Sequence, residues 1–207
     1  MIRKATIEDA EAIARIHVQA WREAYRGIIP AEYLAGLTEE MKVAFWRQQL
    51  ASGRSMTLVA LDGEKVVGWA SGGPSQSAES TAVREIFAIY ISPSVWRRGV
   101  GRKLMQEIET ALLGTGPIIL WVLRANQSAF QFYEKLGYHH DGGEKAADFG
   151  GVRLQALRLR RHIGAAKHCR ITTRCARGVL SAQDSVSVPI RFVCARPSWV
   201  EEYHRLG

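Results

Sequence analysis

Residues Ala10, Ile13, Ala14, His17, Trp21 and Tyr25 fall along one side of a helix, which predicts a first helix running to about Tyr25. Thr6 with Asp9 approximates a capping box at its start, and Gly27 and Pro30 end it. Ahead of this helix residues 2–5 read as a strand, and behind it a second helical region spans 31–51. Residues 56–61 and 65–71 flank Asp62-Gly63, the signal of a hairpin. Gly72-Gly73-Pro74 and the serine-rich run to Thr81 read as a loop. A strand over 84–92 follows, and residues 117–123 form a short apolar run long enough for a buried strand. Asn126 is placed to cap a helix carrying Ala129, Phe132, Tyr133 and Leu136 at helical spacing, and Gly137 suits its closing residue. Residues 152–156 alternate in strand fashion. The order predicts an α/β fold with a mixed sheet and no internal repeat.

The segment with the clearest chemistry joins the strand over 84–92 to a helix. Ile89-Tyr90-Ile91-Ser92-Pro93 runs into Trp96-Arg97-Arg98-Gly99-Val100-Gly101-Arg102, and Lys103-Leu104-Met105 continues a periodic stretch. Gly99 and Gly101 let backbone N–H groups approach an anion with no Cβ in the way, and the unpaired amides of a new helix favour negative charge. Arg97, Arg98 and Arg102 add charge at the same place. The turn predicts a phosphorylated cofactor, although R-x-G-x-G segments also serve as plain strand-to-helix turns. There is no G-x-x-x-x-G-K-[ST] and no third glycine after Gly99 and Gly101, which argues against ATP and dinucleotides.

Composition narrows the setting. A chain of 207 residues suits one domain with an appendage. The net charge of +8 is unevenly spread. Residues 1–160 carry 20 Lys and Arg against 17 Asp and Glu, while 161–207 carry 8 against 3. Most of the excess lies outside residues 1–160, so a body that grips nucleic acid is poorly supported. No apolar stretch approaches the roughly 20 residues of a membrane span. Glu8, Asp9 and Glu11 interrupt any apolar leader. Cys169, Cys175 and Cys194 form neither a disulfide framework nor a zinc site. These features predict a cytoplasmic protein with neither a nucleic-acid nor a membrane partner. In the tail, 185–194 alternates weakly and 199–206 has room for a helical turn or two, which is too little for a second core.

Taken together, the P-x-x-W-R-R-G-V-G-R segment after a strand and N-x-x-A-x-x-F-Y-x-x-L-G-Y after the next strand resemble the GNAT family of N-acetyltransferases. The resemblance runs from the N-terminus to about Arg160. It implies a GNAT domain over 1–162, with 163–207 as a basic, loosely structured extension; the sharper reading is an oligomerisation or regulatory arm. The implied fold is a mixed, mostly antiparallel central sheet flanked by helices, with splayed parallel strands forming an acetyl-CoA cleft. By the same resemblance Ile89 and Ile91 pair with the pantetheine arm, and Arg97, Arg98, Gly99, Val100, Gly101 and Arg102 hold the pyrophosphate. Asn126 lies near the arm, and Tyr133 is the general acid that protonates the leaving thiolate. Trp96 stands where many members have Gln or Arg. Trp121 stands where some relatives have a glutamate base, so Glu85 becomes the candidate base, with His17 or a water chain as further options. Trp21, Tyr25 and Tyr33 are expected to supply the acceptor pocket. The implied co-substrate is acetyl-CoA with no metal, and the acceptor is an amine on a small molecule or peptide; a homodimer is compatible with this. The alternative is a module of the same fold that binds acyl-CoA without turnover.

Overall fold

The computed structural model describes residues 1–75, 82–112 and 116–162. The expectations for the extension 163–207 and for most of the serine-rich loop lie outside the described residues. Strand β1 (Ile2–Lys4) leads through a short 3-10 turn, Ile7–Asp9, into α1 (Ala10–Ala24). Asp9 ties this junction together. Its carboxylate accepts the Thr6 N–H at 2.8 Å and two nitrogens of Arg3 at 2.7 and 2.9 Å. The capping box expected from Thr6 and Asp9 thus has Asp9 reaching back to the Thr6 amide.

The helical region expected over 31–51 is two helices, α2 (Ala31–Ala35) and α3 (Glu39–Ser52). Thr38 is extended, and its hydroxyl accepts the Met41 N–H at 3.3 Å. With Glu39 and Glu40 in the following turn, this is a strong helix start inside the run. Arg22 of α1 holds the end of α2 by donating to the Leu37 carbonyl at 2.8 Å.

Strands β2 (Met56–Asp62) and β3 (Lys65–Pro74) form the expected hairpin, with Gly63 at φ +60°. Gly72, Gly73 and Pro74, expected as loop, are the end of β3. Their composition imitates a turn, but the reason for Gly72 is close packing: a Cβ there would lie 2.6 Å from Leu112 Cδ1 and 2.8 Å from the Glu85 carbonyl oxygen. The remaining elements are β4 (Arg84–Ile91), α4 (Val100–Ala111), β5 (Ile118–Leu123), α5 (Gln127–Lys135), β6 (His139–Phe149) and β7 (Val152–Arg161). The polar, glycine-bearing β6 gave no strand signal in the sequence; among the described residues it is an edge strand paired with β7 alone.

The seven strands form one sheet in the order β1-β2-β3-β4-β5-β7-β6. Every neighbouring pair is antiparallel except β4 and β5. One face packs against α1, α2 and α3 around Ile13, Trp21, Trp46, Trp69 and Tyr90. The other packs against α4 and α5 around Leu104, Ile108, Ile89, Leu120 and Tyr133. His17 is fully packed in the first core, where its Nδ1 accepts the Trp46 indole N–H at 3.3 Å. Burial and the nearby Lys42 charge hold His17 neutral by pushing its pKa well below the usual imidazole value.

Lys42 of α3 is itself buried, which lowers its ammonium from the ordinary 10.5 to about 8. The folded protein therefore carries a desolvation penalty below pH 8 that fades as pH rises toward 10.5, where only the unfolded chain still binds the proton. Lys42→Met should raise the unfolding free energy at pH 7 by about 1–3 kcal/mol. The gain should shrink by pH 10. Urea unfolding of both proteins at the two pH values measures this, and a pH-independent difference would rule out the buried-charge account.

Candidate active site

The parallel ladder between β4 and β5 has only two register pairs, Arg84 with Ile118 and Glu85 with Ile119. Beyond them the strands part. The cause lies on the other side of β4. Ser71 faces Ala88 but Gly72 faces Ile86, so Phe87 is an extra residue in β4 opposite β3. A bulge of this kind bends its strand and increases the twist. The Ser92 N–H bonds back to the Val67 carbonyl in β3 at 2.8 Å. Strand alternation then turns the backbone groups of Ile91 and Ile89 toward the open side. Among the described residues no strand pairs with this edge beside the wedge, although the Ile91 carbonyl already accepts the Trp96 indole N–H, and such an edge can accept an extended chain carrying amides.

At the wide end of the wedge lies the arginine-glycine turn. Arg97 has φ +64° and Gly99 has φ +80°, so two left-handed residues shape it. For a non-glycine residue such as Arg97 this conformation costs about 1 kcal/mol or more, a strain typical of binding loops. Gly99 opens α4 without a side-chain cap, and the first intrahelical bond runs from the Lys103 N–H to the Gly99 carbonyl at 3.1 Å. The amides of the first turn are therefore aimed outward with the positive end of the helix behind them. They face a pocket of 140 Å³ bounded by Arg97, Gly99, Val100, Gly101 and Arg102 on one side and by Phe132, Lys135 and Leu136 of α5 on the other. Lys135 was missed in the sequence, because its charge reaches this pocket only through the packing of α5 beside α4.

Arg98 has a different place. Its guanidinium lies 3.6 Å from Asp62, and it lines a separate cavity of 180 Å³ with Ile2, Leu61, Val67 and Lys103. That larger cavity lies away from the splayed strands. Trp96 donates its indole N–H to the Ile91 carbonyl at 2.8 Å, holding the turn against the end of β4.

Asn126 caps α5 by accepting the Ala129 N–H at 3.2 Å through Oδ1. Its buried Nδ2 has no hydrogen-bond partner among the described residues. This leaves a buried amide donor just beyond the end of β5. Tyr133 is fully buried between α5 and the sheet, with ring neighbours Phe132 and Tyr138. It shares its core with Ile89 and Leu120, which flank the wedge. Glu85 sits at the closed end of the wedge, 4% exposed, and accepts the Ser75 hydroxyl at 3.2 Å.

Trp21, Tyr25 and Tyr33 converge on the opposite face. Trp21 packs edge-on to Tyr25, Tyr33 packs edge-on to Phe149, and Trp21 also meets Phe149. The Trp21 indole donates to the Tyr90 hydroxyl at 2.6 Å, linking α1 to β4. Trp21 and Tyr25 are buried, whereas Tyr33 is half-buried beside Gly150. Phe149 is a further member of this group, missed because β6 was not anticipated. Among the described residues no group of His, Cys, Asp and Glu could hold a metal ion. No described helix is long and apolar enough to cross a membrane.

Comparison with known proteins agrees with this geometry. The family model for the acetyltransferase (GNAT) family matches residues 15–138. The uncharacterized N-acetyltransferase YuaI of Bacillus subtilis is 34% identical over 163 residues, covering 76% of this chain and 90% of that protein. The spermidine N(1)-acetyltransferase of Thermoplasma acidophilum is 25% identical over 152 residues, covering 66% and 86%. Among solved structures, the acetyltransferase yncA from Salmonella typhimurium, described as putative and solved with acetyl-CoA, has a TM-score of 0.59 at 17% identity, covering 87% of this chain and 98% of that one. The chain belongs to the acetyltransferase (GNAT) family and is an acetyl-CoA-dependent N-acetyltransferase.

Proposed function

We propose that this enzyme acetylates a primary amine on a small molecule or peptide by direct transfer within the wedge between β4 and β5. The observation that carries the assignment is the two-pair ladder ending above the left-handed turn, which joins an amide-pairing edge to a phosphate cradle. The main-chain amides at Gly99 to Arg102, with Arg97 and Lys135, hold the pyrophosphate; Ile89 and Ile91 offer backbone pairing, and Asn126 offers its Nδ2 donor. Arg98 is assigned to bracing the turn through Asp62 instead. When bound, acetyl-CoA supplies a thioester that the amine attacks, with coenzyme A thiolate leaving. Tyr133 donates its phenolic proton to the leaving sulfur, and Glu85 takes the proton of the incoming amine. Tyr33, with Trp21 and Tyr25 behind it, forms the aromatic side of the acceptor entrance. Residues 1–162 suffice for this activity, since the described sheet and both helical layers end there, and the enzyme works in the cytoplasm.

Thermal melting with and without acetyl-CoA, followed by thiol release with an amine panel, tests these assignments on the full chain and on residues 1–162. Saturating acetyl-CoA should raise the melting temperature of both by about 5–10 °C, as expected for ligand near 100 times its Kd. At least one primary amine should release thiol. Absence of the shift in the full chain would remove the cleft assignment, and its loss only in the shorter chain would move the domain boundary.

A further inference from the structure

Tyr133 sits in the last turn of α5, and that turn is tied to α4 through a buried carboxylate. Helix α5 closes on a left-handed glycine. Gly137 has φ +85°, its N–H bonds to the Glu134 carbonyl at 2.9 Å, and the Tyr138 N–H bonds to the Tyr133 carbonyl at 3.0 Å. The Tyr138 ring also lies against Tyr133, with ring centres 6.0 Å apart. Backbone and ring of Tyr138 thus both rest on Tyr133. The Tyr138 hydroxyl reaches away and donates to Glu109 Oε1 on α4 at 2.9 Å. Arg161, at the end of β7, donates through Nη1 to both oxygens of the same carboxylate, at 2.9 and 2.8 Å. Tyr138 is fully buried and Glu109 nearly so. Glu109 lies about 15 Å down α4 from Gly99 at the ordinary helical rise per residue. A helix is stiff over that length, so the bond from Tyr138 to Glu109 sets how far Tyr133 stands from the phosphate turn. An apolar pair would fill the same space, and a buried ion pair adds little stability because desolvation offsets its attraction. Directional, charge-assisted hydrogen bonds add a fixed position instead. Position matters here, because a displacement of about 1 Å in a reacting group can cost about 10²-fold in rate.

We propose that Glu109 and Tyr138 are positioning residues for acetyl transfer: together they lock the end of α5 to α4, so that the Tyr133 hydroxyl is held at a set distance from the phosphate turn. Arg161 completes the lock by orienting the carboxylate from the β7 side. The effect passes through Tyr133 alone. The inference rests on the assignment of Tyr133 as the acid and adds the residues that aim it.

The test is a cycle of Tyr138→Phe and Tyr133→Phe, singly and together, in the full chain. Single-turnover thiol release is followed at saturating acetyl-CoA, with spermidine, L-lysine and a short peptide as acceptors and the fastest of them kept for every variant. Tyr138→Phe keeps the ring and leaves Glu109 its bonds from Arg161, so its melting temperature should fall by only about 3–8 °C. Release should slow by about tenfold, while KM for acetyl-CoA and the melting shift it causes stay as in the unaltered protein. Adding Tyr138→Phe to Tyr133→Phe should slow release no further, because the hydroxyl being aimed is already gone. Glu109→Ala, a second break in the lock, should behave as Tyr138→Phe does in both backgrounds. Glu109→Gln keeps an oxygen for the Tyr138 hydroxyl and should stay close to the unaltered rate. NMR of 3-fluorotyrosine-labelled protein reads the lock without turnover: the Tyr133 signal, identified by its loss in Tyr133→Phe, should broaden or split in Tyr138→Phe. An unchanged rate or an unchanged Tyr133 signal in Tyr138→Phe, or an equal further fall in the double variant, would overturn the proposal and leave the cluster as packing. Full activity in Tyr133→Phe, or no thiol release by the unaltered protein, would defeat the acid assignment itself, and this inference with it.

Discussion

Tyr133→Phe should lower the rate of acetyl transfer by roughly 10²-fold or more, with acetyl-CoA affinity and melting temperature close to those of the unaltered protein. The substitution deletes one oxygen and keeps the ring that packs against Phe132 and Tyr138. The core formed by α4, α5 and the sheet keeps its volume, and removing a hydroxyl from a fully buried position leaves packing intact. The chemical step differs. Expelling a thiolate into a dry cleft is unfavourable unless a proton arrives as the C–S bond breaks, and the phenol is the acid assigned to that task. Single-turnover thiol release, with the acceptor saturating, isolates the step. Unchanged release under those conditions would leave Tyr133 as a packing residue. A fall accompanied by weaker acetyl-CoA binding would make it a positioning residue for the cofactor.

Gly72→Val should be the most damaging single change in the sheet, with a loss of about 3 kcal/mol or more in unfolding free energy. Its new Cβ would meet Leu112 Cδ1 at 2.6 Å and the Glu85 carbonyl oxygen at 2.8 Å, and the second of these is backbone that cannot rotate away. The site also lies at the register shift that sets β4 apart from β5, so surviving folded protein should show a reduced melting shift with acetyl-CoA. Gly73→Ala is the matched comparison. Its Cβ would lie 3.3 Å from the Phe87 ring, a neighbour able to give slightly, and its cost should be well under half as large. Urea unfolding of the two variants decides the matter. A Gly72→Val protein as stable as the unaltered one would mean that α4 is not pinned against β3 there.

Much of the site was legible along the chain because it is built from consecutive residues. A strand, a turn with Gly99 and Gly101, and a helix start specify outward amides whatever the rest of the fold does. The same is true of Asn126, whose role as a cap depends only on the next three residues. The α/β order, the hairpin at Asp62-Gly63 and the family resemblance followed from such local signals. Even the break between α2 and α3 was present in Thr38-Glu39-Glu40, although the longer helical pattern obscured it.

What the sequence determined by itself was the set of local conformations and the chemistry each could offer. Tertiary structure decided where that chemistry points. Arg97 and Arg98 are neighbours in the same turn, yet the Arg97 residue borders the pocket between α4 and α5 while the Arg98 guanidinium goes to Asp62 on the other side. Trp21 and Tyr25 share a helix face with core residues; Trp21 packs on Phe149 and bonds to Tyr90, Tyr25 packs edge-on to Trp21, and both are buried. The strand β6 exists because β7 offers it an edge, since its own polar and glycine-rich composition carries no strand period. The ion pairs of Asp141 with Arg158 and Arg160 depend on the register of β6, β7 and β5, where a one-residue slip would turn these side chains to the opposite face. Conformation of a short segment is decided by steric and hydrogen-bonding terms within a few residues, whereas side-chain direction and burial depend on contacts with residues far along the chain.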